Sequence, residues 1–170
     1  ILEEGLRMDD LERIVKSMSE AAAEADIKII CGDTKVVERN AADGVFINTA
    51  GIGFVREDVQ ISIANSRPGD VVLVSGTIGD HGITIMSQRE GLRFQSDVRS
   101  DAAPLNHLVR DMLDASSQIH SMRDPTRGGL ATTLNEIAVS SGVGIEIDED
   151  QIPVSEGVAW ACEMLGLDHL

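Results

Sequence analysis

Three short stretches of this 170-residue sequence gather the residue types from which a reaction site is built. In Cys31-Gly32-Asp33-Thr34-Lys35 an apolar segment runs out into an acid, a hydroxyl and an amine. An enzyme handling a nucleotide needs a carboxylate to fix Mg²⁺ and a cation to neutralise charge developing on phosphate oxygens. Asp33 and Lys35 offer both. The same residues also suit a turn that ends a strand, with Asp33 bonded to its own backbone and Lys35 solvated.

The second stretch is Asp124-Pro125-Thr126-Arg127-Gly128-Gly129. Pro125 fixes the approach, Thr126 can cap the helix that follows, and the two glycines let a ligand or another backbone come close to the first helical N–H groups. A helix start beside an arginine suits phosphate or sulfate, and it equally suits a helix start with no ligand. The third stretch, Gly79-Asp80-His81-Gly82, can supply a general base or a polar contact where a strand turns into a helix, or a capping residue and a surface histidine. His107, His120 and His169 have no metal-ligand spacing to one another.

Other chemistries lack their signatures. There is no G-x-x-x-x-G-K-[ST] loop, no G-x-G-x-x-G with a partner acid, no G-x-S-x-G elbow and no H-E-x-x-H helix. Cys31 and Cys162 sit in apolar surroundings without ligand spacing and read as buried, reduced thiols. A net charge of −15 repels phosphate backbones and acidic lipid. An anionic ligand would be held by a few placed cations, backbone N–H groups and Mg²⁺. No apolar run approaches the roughly 20 residues that span a bilayer, and no signal-like start is present, so the cytoplasm is the expected location.

The elements that must position these stretches follow from periodicity. Residues 9–25 place Leu11, Ile14, Val15, Met18, Ala22 and Ala25 at helical steps, with Asp9 or Asp10 available as a cap. Residues 27–31 and 44–55 are β-rich runs, and Ser66-Arg67-Pro68-Gly69-Asp70 is a turn signal before a further strand at 71–75. A glycine loop then feeds a helix over 83–90. Pro104 opens a helix carrying Leu105, Leu108, Val109, Met112 and Leu113 on one side. A strand ending at Met122, a helix from Leu130, a strand over 143–147 and a helix over 155–165 complete an α/β alternation. With 42% hydrophobic residues the chain can bury a core. It starts without Met inside an apparent element and stops just after a helix, so it reads as an internal excerpt.

Taken in order, Ile1-Leu2-Glu3-Glu4-Gly5, Gly32-Asp33-Thr34-Lys35-Val36-Val37, Phe46-Ile47-Asn48-Thr49-Ala50-Gly51, the run from Leu73 to Gly82, Asp124 to Gly129 and Leu165-Gly166-Leu167-Asp168 resemble the HypE family of hydrogenase maturation proteins. That family lies within the aminoimidazole-ribotide-synthase-like superfamily. The resemblance implies a two-domain α/β fold, both domains incomplete: residues 1–57 from an α+β ATP-binding domain that dimerises, 58–67 a linker, and 68–170 most of a C-terminal α/β domain.

It also implies a reaction. A partner carbamoyltransferase, HypF, places a carbamoyl group on the protein's C-terminal cysteine; ATP-dependent dehydration turns it into a thiocyanate, and cyanide passes to iron on a HypC–HypD scaffold. By motif match, Lys35 would be catalytic and Asp33 would bind Mg²⁺ or the nucleotide beside Thr34. Asp124, Thr126, Arg127, Gly128 and Gly129 would border the cleft, with Asp80 and His81 as further contacts. Neither Cys31 nor Cys162 matches the acceptor cysteine, so this stretch alone is expected to be inactive. Competing readings are another ATP-dependent superfamily enzyme, such as selenophosphate synthetase or thiamine-monophosphate kinase, and a non-catalytic assembly module.

Overall fold

A computed structural model of the protein describes residues 1–90 and 98–168. His169 therefore lies outside the described residues. The chain divides into two compact units, Ile1–Arg56 with Pro104–Ala115, and Glu57–Ala103 with Ser116–Leu170.

In the first unit, helix α1 (Met8–Glu24) carries the half-buried apolar residues Leu11, Ile14, Met18 and Ala22 on one stripe, continued by its C-cap Ala25, the spacing a helix needs to turn one face inward. Val15 falls off that stripe and is 55% exposed. Arg7, without a side-chain bond, stands at the N-cap, and Asp9 and Asp10 lie inside the first turn, where they complement the helix dipole instead of capping it. At the other end, Asp26 adopts φ +51° and the Ile27 N–H reaches the Ala22 carbonyl at 2.9 Å. Helix α3 (Asn106–Ala115) supplies further partners to that end. Asn106 Nδ2 donates to the Ala25 carbonyl at 2.8 Å and His107 Nε2 to the Glu24 carbonyl at 3.2 Å. Pro104 stands two residues before α3, so it precedes the helix rather than opening it.

Strand β1 (Leu2–Glu3) pairs in parallel with β2 (Val36–Val37), Leu2 opposite Val36 and Glu3 opposite Val37, and Leu2 forms an antiparallel bridge to Val45. The Glu3 carboxylate accepts from the Asn40 N–H at 2.6 Å and the Gly44 N–H at 2.9 Å, which pins the 38–44 loop beside the sheet.

In the second unit, helices α2 (Asp80–Glu90) and α5 (Glu156–Leu165) pack through Ile83, Val158, Ala161 and Cys162, with Val98 and Val154 against them. Helix α4 (Gly129–Ser141) forms a second apolar cluster from Leu130 and Leu134 with Ile78, closed by Ile145, Ile152 and again Val154. Glycines in the left-handed region end both α4 and α5, Gly142 at φ +69° and Gly166 at φ +65°, where a Cβ would be strained. Cys162 is buried as expected; Cys31 is exposed, as are residues 27–30 before it.

The predicted strands at 27–31, 44–55, 71–75, before Met122 and at 143–147 form no ladder among the described residues beyond the Val45 bridge. Their large side chains stand in the open, Ile30 at 86%, Ile52 at 97%, Phe54 at 101% and Val71 at 81% exposed. A strand exists only through the neighbour that takes its N–H and C=O groups. Sequence reveals the readiness of these segments to pair, not the partner.

Candidate functional site

Asp33, Thr34 and Lys35 lie together in the first unit, on the exposed stretch that leads into β2. The Lys35 carbonyl accepts the Leu2 N–H at 2.8 Å, so the sheet fixes the backbone of the lysine while its side chain is left unengaged. Neither the Asp33 carboxylate nor the Lys35 ammonium has a hydrogen bond or ion pair among the described residues. A carboxylate and an ammonium two residues apart, both solvated, can take a metal–phosphate ligand without first breaking a protein contact.

The other expected residues belong to the second unit. Asp80 opens α2, is 7% exposed, and accepts from Ser155 Oγ at 3.0 Å through Oδ1, while Oδ2 is buried with no partner among the described residues. Ser155 is also the N-cap of α5, accepting from the Val158 N–H at 3.4 Å. Asp80 thus ties the start of α2 to the start of α5. Gly79 before it has φ +83°, and a Cβ there would lie 2.8 Å from Val158 Cγ1. His81 faces outward, with Nδ1 2.9 Å from Ser100 Oγ.

The 124–129 turn is ordered from a residue the sequence did not single out. Arg123 Nη1 reaches Asp124 Oδ1 at 2.9 Å, and its Nε and Nη2 reach Glu136 Oε2 at 3.2 and 3.1 Å. The Thr126 hydroxyl and the backbone N–H of Asp124, with the Arg123 guanidinium beside them, hold the Asp124 carboxyl below the usual carboxylate range. Thr126 is therefore a partner of Asp124 and not the cap of α4; Gly128, at φ +75°, occupies the N-cap with no side chain to offer. A Cβ at Gly128 would meet Thr132 Oγ1 at 2.5 Å, so both its φ and its close approach require glycine. Arg127 is exposed and makes no bond among the described residues. No hydrogen bond joins the Asp80–His81 pair to this turn among the described residues.

No local sequence signal marks Arg123, because its partner Glu136 is 13 positions away. A separate clasp binds His120 Nδ1 to Asp70 at 2.8 and 3.0 Å and holds the Asp70 carboxyl below its usual range, with the Arg67 N–H assisting. An open hollow of about 380 Å³ is lined by Asp10, Arg13, Ile14, Ser17, Met18 and Ile47, none of them an expected site residue.

Among the described residues no three His, Cys, Asp or Glu side chains gather as a metal cluster. Mg²⁺ takes one or two protein carboxylates and fills its octahedron with water and phosphate oxygens, so a single exposed Asp33 fits it as one ligand of several. No helix among the described residues is long and apolar enough to cross a membrane.

Comparison with known proteins places these turns in context. The family described as AIR synthase related protein, C-terminal domain, matches residues 67–168, and AIR synthase related protein, N-terminal domain, matches residues 1–55. The chain is 57% identical over 171 residues to the carbamoyl dehydratase HypE of Rhizobium leguminosarum bv. viciae, covering 100% of this chain and 49% of that protein. A crystal structure of the hydrogenase maturation protein HypE in complex with ATP matches with a TM-score of 0.95 at 55% identity, covering 99% of this chain and 50% of that one. A HypE–HypF complex matches equally well, TM-score 0.95 at 54% identity, over 99% of this chain and 56% of its counterpart. The chain thus spans about half the length of the curated relatives it matches.

Proposed function

Because this chain belongs to the AIR synthase related protein family and carries its two-domain α/β fold, we propose that the whole protein is an ATP-dependent carbamoyl dehydratase of hydrogenase maturation. The observation that carries the proposal is identity of 57% over the whole length of the chain to a carbamoyl dehydratase. The substrate is an S-carbamoyl group on the protein's C-terminal cysteine. An amide oxygen leaves poorly, and phosphorylation by ATP turns it into a phosphate; loss of that phosphate and of both amide protons leaves the thiocyanate.

Within that scheme Lys35 steadies charge on the phosphoryl group or the amide oxygen, and Asp33, beside Thr34, supplies one carboxylate to Mg²⁺. Arg127, with the first N–H groups of α4 opened by Gly128 and Gly129, takes phosphate oxygens or the mobile tail, while Asp124 and Thr126 shape the turn. His81 lies on the accessible side of its turn; Asp80 serves the nucleotide by fixing that turn rather than by touching it. The domain division is 1–57, 58–67 and 68–170, supported by family matches at 1–55 and 67–168, although Pro104–Ala115 packs with the first unit. The carbamoyltransferase HypF is the donor partner, supported by the likeness to the HypE–HypF complex. A homodimer, a HypC–HypD acceptor and a cytoplasmic setting complete the proposal.

The deciding experiment is the intact mass of the whole protein after incubation with its carbamoyltransferase, before and after ATP. The expected result is a carbamoyl adduct that loses one water only when ATP is present. Absence of any adduct, with ATP still consumed on a small molecule, would overturn the dehydratase reading and leave the family intact.

A further inference from the structure

We infer that Arg123 is the positioning residue of the 124–129 turn: one guanidinium fastens the first residue of the turn to the body of α4 and so keeps Arg127 and the opening N–H groups of that helix free for an oxyanion. The inference rests on reading that turn as the phosphate-facing wall of the nucleotide site.

The geometry is specific to a planar fork. Nη1 of Arg123 donates to Asp124 Oδ1 at 2.9 Å and lies 3.3 Å from the Asp124 carbonyl. Nε and Nη2 both converge on Glu136 Oε2, at 3.2 and 3.1 Å. Glu136 stands seven residues beyond Gly129, so at about 1.5 Å per residue the anchor lies about 10 Å up the helix from the turn it holds. A lysine, with one compact ammonium, cannot span a carboxylate on each side with the same fixed orientation.

The arrangement also settles where negative charge goes. Asp124 is three residues from Arg127 and would pair with it if left free, cancelling the one unengaged cation of the turn. In the structure its carboxylate is instead held by Thr126, its own backbone N–H and Arg123. Arg123 in turn is bonded to Asp124 and Glu136, which raises its already high proton affinity and makes its charge permanent there. Glu136 balances that charge on the flank of α4 rather than at its N-terminus, where an incoming anion needs the positive end of the dipole unopposed. Arg123 and Glu136 are 35% and 45% exposed, so they contribute little to global stability, and their value lies in local order.

The test uses Arg123→Met, Arg123→Lys, Glu136→Ala and Arg127→Ala in the whole protein, with amide hydrogen exchange over residues 124–132, ATP affinity, and single-turnover dehydration with ATP saturating. Arg123→Met and Glu136→Ala are expected to speed exchange in the turn and weaken ATP binding by roughly three- to tenfold, the range of a lost charge-assisted bond at a partly solvated site. The saturated single-turnover rate should move less than the affinity, and Arg123→Lys should recover part of it. Unchanged exchange would overturn the positioning role. So would unchanged affinity in both variants while Arg127→Ala still weakens ATP, and the nucleotide reading of the turn would then survive. If Arg127→Ala leaves affinity unchanged as well, the turn is not in the nucleotide site and the inference falls with that reading. Should Arg123→Met fail to fold, Glu136→Ala on the open face of α4 carries the same test.

Discussion

A lysine without a partner and an arginine with several serve a ligand in opposite ways. Lys35 is tethered through its backbone to β1 and has its ammonium in water, so it can follow a phosphoryl group as charge builds on it. Arg123 is spent on the protein and acts only through the turn it holds. Lys35→Ala is therefore expected to leave the fold intact and to lower ATP-dependent dehydration by about 10²-fold or more, the usual loss when a group aimed at developing charge is removed. A single-turnover assay with circular dichroism as the folding control checks this, and an unchanged rate would remove Lys35 from the reaction. Asp33 and Lys35 could be singled out as candidates in the sequence because a carboxylate and an amine two residues apart after an apolar run are informative by type. Arg123 could not, since its meaning comes from Glu136, 13 positions away and brought alongside only by the helix. The tie that Asp80 makes was hidden for a similar reason: its partner Ser155 is 75 positions distant.

At the scale of elements, the helices were legible nearly to the residue and the strands were not. Apolar spacing alone defines α1, α4 and α5, and the glycines at 142 and 166 mark two of their ends. Of the runs with a strand signal, only 44–55 makes a bridge among the described residues, at Val45, while the one ladder joins two short segments that carried no such signal, because pairing depends on a neighbour that local sequence does not name. The turn before α2 illustrates how much one backbone position can matter. Gly79 sits at φ +83° with the fully buried Val158 2.8 Å from where a Cβ would be, and Val158 has no space to withdraw. Gly79→Ala should destabilise the second unit by about 2 kcal/mol or more, combining left-handed strain with overpacking. Gly82, the third residue of α2 with nothing within 4 Å of its Cβ position, is the control. There alanine should stabilise by about 0.5–1 kcal/mol through helix propensity. Urea unfolding of the two variants side by side would show the opposite signs; a shift of the same sign in both would contradict the packing account.

For the molecule as a whole, charge sets how stability responds to acid. At a net charge of −15 self-repulsion opposes the compact state, and mild acidification relieves it. Against this, the carboxyls of Glu3, Asp70 and Asp124 are all held below their ordinary range, Glu3 by the Asn40 and Gly44 N–H groups, Asp70 by His120, and Asp124 by Thr126. A depressed carboxyl contributes stability that is complete above its unfolded value and is lost as pH falls through its folded value. Stability is thus expected to hold or rise as pH drops toward the carboxylate range and to fall below it, where all three ties are protonated. Urea midpoints at stepped pH would check this, and a steady rise into strong acid would show that repulsion outweighs the ties. The sequence displayed the charge imbalance but not these ties, two of which join residues 37 or more positions apart. One further consequence lies in Val154, which packs against the α2–α5 cluster and also against the α4 cluster. A single side chain that walls two cores makes the loss of either one expose the other, so α4 and α5 should open together as one cooperative block, and any slack introduced at that residue would be felt at both ends of the unit.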